Sequence, residues 1–288
     1  MGVERVITGR ARDLGGFSVR RVLPAPSARM IGPFIFFDHL GPLSLAPGAG
    51  IDVRPHPHIA LATVTYLFSG SLVHRDSLGS VQTIKPGDVN WMTARSGIVH
   101  SERSPEEERK RGVRAHGIQS WVALPDGHEE GAADFQHHPC ASLPSASRSG
   151  VELRVIAGEA FGRRSPVRVL WPTLYVDMMV AAGACVEIGA DYSEQACYVA
   201  EGEIEVAGTR AVAGELLVLS SGDAETLCAR RAARVILLGG EHFATPRFIW
   251  WNFVSSSRER IDNAKRQWSE GRFTAVPGES EFIPLPPD

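Results

Sequence analysis

Two short segments of this chain each place a pair of metal-ligand side chains two residues apart. His56 and His58 stand on either side of a proline, and further along the chain His100 and Glu102 flank a serine. Because side chains two residues apart in an extended strand point to the same face, each pair can approach one ion. Three imidazoles and one carboxylate suit Fe(II), Mn(II), Ni(II) or Zn(II) by ligand type. The sequence therefore predicts one mononuclear metal site built from these four residues.

The elements that must position these pairs are short β-strands. The 29 glycines and 19 prolines are spread as turns between short apolar stretches, which is typical of an all-β protein. The β-branched and aromatic stretch 64–68 ends at Ser69-Gly70, and the alternating stretch 81–84 ends at the turn sequence Lys85-Pro86-Gly87-Asp88. These two strands bracket a hairpin around residues 76–79, so the two ligand pairs can converge inside one barrel.

The second half of the chain repeats the strand pattern and ends differently. The stretch 132–150 has little periodicity and is expected to connect two domains, 1–135 and 136–288. Strands then follow at the spacing of a second barrel. Ser256-x-x-Glu259 predicts a capping box for one helix that ends at Gly271, and the Pro-rich tail is expected to pack in an extended conformation. The second half carries no pair of histidines spaced two residues apart, and His242 is its only histidine after residue 138.

Charge and composition exclude several classes of function. The formal net charge is -3 with both signs spread along the chain, so no binding of nucleic acid or membrane is expected. No apolar run has the length of a membrane span or of a signal segment, and a cytoplasmic location is expected. The four cysteines (Cys140, Cys185, Cys197 and Cys228) have no regular spacing and are predicted to be reduced, buried thiols.

The spacing of the ligand pairs resembles the two metal motifs of the cupin superfamily. Gly50, His56-Pro57-His58 and Gly70 match the first motif, while Pro86-x-Asp88 and His100 resemble the second with altered spacing. The glutamate expected three or four residues after the second histidine is replaced by Ala62 and Thr63. Glu102 is the carboxylate left to complete the ligand set.

Over its whole length the chain resembles a pirin, a family of bicupins. The resemblance is carried by eight stretches: 32–42 (GPFIFFDHLGP), 55–58 (PHPH), 63–67 (TVTYL), 74–77 (HRDS), 86–94 (PGDVNWMTA), 100–102 (HSE), 117–121 (GIQSW) and 281–286 (EFIPLP). It implies two tandem jelly-roll barrels of the cupin type with a short C-terminal helix and an extended tail. It implies iron held by His56, His58, His100 and Glu102 in the first barrel, with Mn, Ni, Zn, Co or Cu as alternatives, and a metal-free second barrel.

One departure from the pirin pattern lies close to the site. Pirins commonly have Thr-Ala-Gly-Arg-Gly before the third histidine, whereas this chain has Thr93-Ala94-Arg95-Ser96-Gly97. Arg95 replaces a glycine at a turn where a positive φ is expected. The sequence therefore predicts the ligand set more firmly than it predicts the access of substrate to the metal site. His39, His74 and His116 lie in the family-like stretches and are candidates for supporting the ligands through hydrogen bonds.

The resemblance implies two functions of different kinds. Some bacterial pirins are quercetin 2,3-dioxygenases, and by analogy a flavonol or enediol substrate would bind the metal, lose its hydroxyl proton to Glu102 as base and react with dioxygen. Other pirins act without catalysis as iron-dependent redox sensors that bind a regulatory protein partner. An open cavity at the metal would favour the enzymatic function, and a site entrance narrowed by Arg95 would favour the sensor function.

Overall fold

The computed structural model describes residues 2–287, and strands dominate it. The strands in chain order are β1 (Val3–Thr8), β2 (Arg10–Asp13), β3 (Ser18–Leu23), β4 (Phe34–Ser44), β5 (Asp52–His58), β6 (Leu61–Ser69), β7 (Leu72–Asp76), β8 (Val81–Ile84), β9 (Val89–Thr93), β10 (Ile98–Arg103), β11 (Arg114–Ala123), β12 (Asp134–His138), β13 (Ser145–Arg148), β14 (Val151–Ala157), β15 (Glu159–Ala160), β16 (Arg163–Arg164), β17 (Thr173–Val180), β18 (Cys185–Ile188), β19 (Glu194–Val206), β20 (Thr209–Val212), β21 (Glu215–Leu219), β22 (Glu225–Gly240), β23 (Phe248–Trp250) and β24 (Phe253–Ser255). The helices are α1 (Glu106–Arg111) and α2 (Arg258–Ser269). No helix within residues 2–287 has the length and hydropathy of a membrane span.

Contacts between Cα atoms divide the chain into two compact units whose segments alternate along the sequence. The first barrel comprises Asp13–Ser18, Leu40–Cys140 and the chain from Ala244 onward. The second barrel comprises the chain up to Arg12, Val19–His39 and Ala141–Phe243. These units differ from the predicted contiguous division at residue 135. The chain ends account for the difference, because β1 pairs with β21 whereas β24 and α2 pack together in the other unit.

In the first barrel, a four-stranded sheet in the order β5-β10-β7-β8 faces the antiparallel strands β12-β9-β6-β11. The alternation of side chains along each strand directs one row into the space between them. Three contacts join the two layers: Thr65 donates a hydrogen bond to Glu102, His74 stacks on Phe135, and His58 packs edge-on against Trp121. The barrel interior on the side of the four-stranded sheet is therefore lined by histidines and a carboxylate.

The second barrel has an apolar interior. Its main sheet runs in the order β1-β21-β19-β22-β17-β14-β13, with β18 paired to β22 and β20 paired to β19. The continuous apolar stretches 216–219 and 235–238 form most of β21 and the end of β22, and Leu217, Val235 and Leu237 are among their buried core residues. Hydrophobic burial of this interior supplies the main favourable free energy of folding.

The prediction of reduced, buried thiols was wrong for Cys185 and Cys228 and partly wrong for Cys140, which is a free thiol but only partly buried. Cys185 and Cys228 lie opposite each other on the antiparallel strands β18 and β22 and form a disulfide. Their spacing in the sequence carries no trace of this pairing, because the contact is made only when two distant strands align. Cys197 is a buried thiol as predicted, and burial raises its pKa to about 12.

Three local expectations also need correction. The stretch 132–150, expected to be a connection, contains β12 and β13, which pair with β9 and β14. The predicted hairpin around residues 76–79 joins β7 to β8, and not the strand at 64–68 to the strand at 81–84, because the additional strand β7 lies between them. The N-cap of α2 is Ser257 and not Ser256, because the Ser257 hydroxyl accepts the hydrogen bond from the backbone N–H of Arg260.

A cluster at the C-terminal end of the chain should contribute strongly to stability. Phe253 is fully buried with Ile59, Ile261 and Ala264, so Phe253→Ala is expected to lower the free energy of unfolding by about 3–5 kcal/mol. The matched control is Phe282→Ala, whose side chain is 57% exposed and whose loss should cost within about 0.5 kcal/mol. Urea unfolding followed by circular dichroism measures both, and equal losses would contradict the assigned packing.

Candidate metal centre

The strand β5 carries the first pair of candidate ligands at the edge of the four-stranded sheet. His56 and His58 alternate with Pro55 and Pro57, and such a proline-rich strand is tolerated because an edge strand needs backbone donors on one side only. The carbonyl of Pro55 accepts a hydrogen bond from the backbone N–H of Ile283 in the extended tail. The tail therefore covers part of the strand edge, as its Pro-rich sequence predicted.

The antiparallel register of β5 and β10 brings the two pairs together. His56 lies opposite His100, and a β-bulge between His100 and Glu102 shifts the next pairing so that Glu102 lies opposite Val53. Nε2 of His58 is 3.2 Å from Nε2 of His100, and the ring of His56 is 4.5 Å from that of His100 between centroids. One nitrogen from each of the three rings lies within 4.8 Å of the others. The spacing-based prediction of a three-histidine cluster is thus consistent with the geometry.

Glu102 joins the cluster through His100. A second group of close ligand atoms comprises His74, His100 and Glu102, so His100 is common to both groups. The Thr65 hydroxyl donates to Oε1 of Glu102 at 2.7 Å. Burial raises the pKa of Glu102 above its usual value, against the opposing effect of that hydrogen bond. Without a cation, the carboxyl is therefore easier to protonate than an exposed glutamate.

Burial keeps the three clustered histidines neutral. Loss of solvation lowers the pKa of His56 to about 4 and holds the pKa of His58 and His100 well below 6.5. A neutral imidazole has one N–H and one lone pair, and its hydrogen-bond partner decides which nitrogen carries the hydrogen. Metal ions bind only the lone pair, so neutral rings of this kind are the form that a metal site needs.

Backbone carbonyls fix the orientation of two of these rings. Nδ1 of His56 lies 2.9 Å from the carbonyl of Arg54, and Nδ1 of His58 lies 3.1 Å from the carbonyl of Asn252. A carbonyl only accepts, so each Nδ1 must carry the hydrogen, and each Nε2 then presents its lone pair. The carbonyl of Asn252 belongs to the turn between β23 and β24, and no side-chain motif could have indicated it.

The donor set fits a divalent cation. Nε2 of His58 carries a lone pair and faces Nε2 of His100 at 3.2 Å inside a buried site. Two lone pairs at this separation repel each other unless a proton or a cation lies between them. Three imidazole nitrogens with a nearby carboxylate are ligands that iron, nickel, manganese and zinc all accept.

The other histidines singled out in the sequence have different surroundings. Nδ1 of His74 lies 3.4 Å from Nδ1 of His100, and the supporting role expected of His74 stays a prediction. His39 forms a hydrogen bond with the hydroxyl of Tyr198 inside the second barrel, and His116 packs edge-on against Phe68. Within residues 2–287, both groups of clustered metal-ligating side chains belong to the first barrel.

The sequence carries no signal for Asp76 near the cluster, and it leaves open how Arg95 affects the turn before His100. Asp76 Oδ2 lies 3.1 Å from Nε2 of His74. Burial would raise the pKa of Asp76, but hydrogen bonds from His74 and Ser80 outweigh it and the pKa is lowered. Arg95 keeps the positive φ expected of the glycine it replaces, with φ of 46°, and its guanidinium is directed toward the carbonyl of Glu130.

Comparison with known proteins decides the family. The Pirin family model matches residues 16–122, and the model of the Pirin C-terminal cupin domain matches residues 175–274. The chain belongs to the pirin family. A pirin-like protein of Caulobacter vibrioides is 48% identical to this pirin, and the alignment covers 99% of each chain. The architecture of two cupin domains and a short C-terminal helix is thereby confirmed.

Two solved structures resemble this pirin. The crystal structure of a quercetin 2,3-dioxygenase from Acinetobacter baumannii has a TM-score of 0.91 and 35% identity, covering 99% of this chain and 96% of that one. A bacterial pirin from Escherichia coli in complex with nickel(II) has a TM-score of 0.65 and 16% identity, covering 84% of this chain and 100% of that one. At 16% identity, the similarity to the nickel-bound structure supports only a shared fold.

The metal-free protein is expected to lose stability as the pH falls from 6.5 toward 4. The pKa values of the buried histidines are lower in the folded state, so the unfolded state binds protons that the folded state does not bind. For His56, a pKa lowered from 6.5 to about 4 corresponds to roughly 3 kcal/mol over this range. The raised pKa of Glu102 acts in the opposite direction and reduces the net slope.

Urea unfolding of the chelator-treated protein at a series of pH values measures this dependence. The variant His56→Ala should show a shallower loss between pH 6.5 and 4 than the wild type. His128→Ala removes an exposed histidine and should keep the wild-type slope. A slope that is the same in all three proteins would mean that His56 is not held neutral by burial.

Proposed function

We propose that this pirin is a quercetin 2,3-dioxygenase-type enzyme that acts on flavonols or related enediols with a divalent metal, Fe(II) in the first place. In this proposal His56, His58, His100 and Glu102 are the protein ligands. The observation that carries it is the facing pair of Nε2 atoms in His58 and His100, which only a proton or a cation can reconcile. The likeness to a quercetin 2,3-dioxygenase at 35% identity supports the substrate class.

The charge of the ligand set suits an anionic oxygen of the substrate. The three histidines are neutral, so Glu102 alone offsets the charge of a divalent cation. The site then retains positive charge in a buried region, where electrostatic attraction to an enolate oxygen is strong. When bound, the metal supplies Lewis acidity and a centre for dioxygen chemistry.

In this proposal Glu102 takes the substrate proton. The 3-hydroxyl of a flavonol would lose its hydrogen to a carboxylate oxygen of Glu102, which breaks one O–H bond and forms another. Burial raises the pKa of this carboxyl, so it holds a proton more strongly than an exposed glutamate does. The hydroxyl of Thr65 keeps the carboxylate oriented through Oε1.

Aromatic side chains beside the histidines suit a flat substrate. Trp121 packs edge-on to His58 with 5.0 Å between ring centroids, and Phe135 stacks on His74 at 4.4 Å. Such rings keep water away from the cluster and offer apolar surface to an aromatic ligand. They also hold the two imidazoles in place, which limits the reorganisation needed on binding.

The test combines metal analysis with oxygen uptake. Protein purified without chelator and loaded with Fe(II) should consume oxygen in the presence of quercetin, and removal of the metal should abolish uptake. Glu102→Gln removes the base and should lower kcat by about 100-fold or more. Glu259→Gln, on the exposed first turn of α2, is the matched control and should retain the wild-type rate.

Two results would contradict the proposal. The first is an Fe(II)-loaded protein that consumes no oxygen with quercetin or any related enediol. The second is a Glu102→Gln variant as active as the wild type. If metal binds without oxygen uptake, the sensor function implied by the family resemblance becomes the better account. A regulatory partner captured with only one iron oxidation state would then support the sensor function.

A further inference from the structure

The C-terminal tail crosses the outer face of the sheet at a strand that carries candidate ligands. The side chains of His100 and Glu102 on β10 face the barrel interior. Alternation along the strand places Ser101 and Arg103 on the opposite, outer face. Ser101 is nonetheless fully buried, because its hydroxyl donates a hydrogen bond to the carboxylate of Glu279 in the tail. The tail therefore covers the outer face of β10 beside Glu102.

Each carboxylate oxygen of Glu279 has its own partner on β10. Oε1 accepts from the hydroxyl of Ser101, and Oε2 accepts from Nη2 of Arg103 at 2.7 Å and from Nε at 3.2 Å. The side chain of Glu279 is only 9% exposed, and charge-assisted hydrogen bonds of this kind are among the stronger ones in proteins. Ser101 and Arg103 are the two neighbours of Glu102 in the sequence. Glu279 therefore holds the chain on both sides of that candidate ligand.

A tight turn gives Glu279 a defined position in the tail. The backbone N–H of Glu279 donates to the carbonyl of Val276 at 3.2 Å, and Gly278 has φ of 79°. Pro277 followed by glycine with a positive φ is typical of a type II turn. Val276 is 2% exposed, so the turn begins at a buried residue. The turn therefore presents Glu279 to the sheet in a fixed place.

The sheet is irregular where the tail contacts it. At the β-bulge, two residues of β5, the second of them Pro55, lie opposite Ser101 alone. The tail also contacts this bulged strand, since the backbone N–H of Ile283 donates to the carbonyl of Pro55 at 2.8 Å. The carbonyl of Ile283 in turn accepts from Nε1 of Trp268 on α2 at 3.0 Å. The segment 279–283 therefore joins both ligand-bearing strands at the bulge between them.

We infer that Glu279 is a positioning residue of the metal centre and that it acts through Glu102. By holding Ser101 and Arg103, it keeps the carboxylate between them in place to share one cation with the histidines. The hydroxyl of Thr65 orients the same carboxylate from inside the barrel. The inference rests on the metal site of the proposed function, because Glu279 has this role only if Glu102 is a ligand.

A second glutamate of the tail is the matched control. Oε2 of Glu281 lies 2.8 Å from Nη2 of Arg103, so Glu281 pairs with the same guanidinium as Glu279. Its side chain is 57% exposed, and exposed ion pairs contribute little because solvent screens them. The Ser101 hydroxyl donates to Glu279 instead. Glu281→Ala should therefore leave the metal centre unchanged.

Metal affinity, measured with Ni(II) in competition with a chelator, is the first test. Glu279→Ala removes both carboxylate oxygens and should lower the affinity by about 10-fold or more. Ser101→Ala removes one donor and leaves Glu279 paired with Arg103, so its loss should be smaller. Glu281→Ala should bind Ni(II) as the wild type does. Circular dichroism and thermal unfolding confirm that each variant is folded.

A double-mutant cycle with Glu102→Gln separates positioning from a general effect on stability. If Glu279 acts through Glu102, Glu279→Ala should cause no further loss of Ni(II) affinity in the Glu102→Gln protein. The visible absorption of bound Co(II) gives an independent signature, because it depends on the number and geometry of the ligands. The spectrum of Glu279→Ala should shift from that of the wild type toward that of Glu102→Gln.

Three results would overturn the inference. The first is a folded Glu279→Ala protein with the affinity and the Co(II) spectrum of the wild type. The second is an equal loss from Glu279→Ala with and without Glu102, which would mean that the tail supports the barrel as a whole. The third is an equal loss in Glu281→Ala. If Glu279→Ala does not fold, the same comparisons are made with Ser101→Ala, and a wild-type affinity there also overturns the inference.

Failure of this inference can be distinguished from failure of the proposed function. The affinity and absorption measurements need no substrate. A wild type that binds Ni(II), loses affinity in Glu279→Ala as expected and shows no oxygen uptake with quercetin contradicts only the dioxygenase. An active wild type whose Glu279→Ala variant keeps its affinity and spectrum contradicts only the positioning role. A wild type that binds neither Ni(II) nor Co(II) contradicts both.

Discussion

A buried neutral imidazole has one hydrogen to place and one lone pair to offer, and the site of this pirin depends on that constraint. Burial lowers the pKa of His56, His58 and His100, so none of them carries two hydrogens near neutral pH. Each ring must therefore find an acceptor for its N–H. The partner of each N–H decides whether the lone pair points to the other rings or away from them.

The sheet satisfies this constraint with partners of two kinds. Carbonyls of Arg54 and Asn252 accept from the two histidines of β5, and Nδ1 of His74 lies 3.4 Å from Nδ1 of His100. Asn252 lies in the turn between two short strands that pack with α2. The C-terminal segment therefore borders the candidate metal centre, although none of its side chains is among the candidate ligands.

The candidate ligands could be singled out from the sequence because their signal is local, and the structure brings their side chains close together. A spacing of two in an extended strand places His56 with His58 and His100 with Glu102, and no tertiary information is needed for that step. The fold class was predictable for a similar reason, since turn residues recur between short apolar stretches. Motifs spread over the whole chain carry the resemblance to the pirin family.

The remaining features depend on contacts between residues far apart in sequence. The carbonyl of Asn252 has no side-chain signature, and the disulfide between Cys185 and Cys228 exists only because β18 and β22 align. Asp76 looks like an ordinary turn residue, and one of its oxygens indeed serves the turn. Its other oxygen lies 3.1 Å from Nε2 of His74, and His74 contacts His100 only because β7 pairs with β10. Such roles follow from strand register, which periodicity does not determine.

The arrangement of the ligands can be tested most directly by anomalous X-ray diffraction at the absorption edge of the bound metal, on crystals of metal-loaded protein. The account predicts a single strong peak within about 2.0–2.3 Å of Nε2 of His56, His58 and His100 and of a carboxylate oxygen of Glu102. A peak that is coordinated through Nδ1 of His100, or that lies elsewhere in the fully loaded protein, would contradict it.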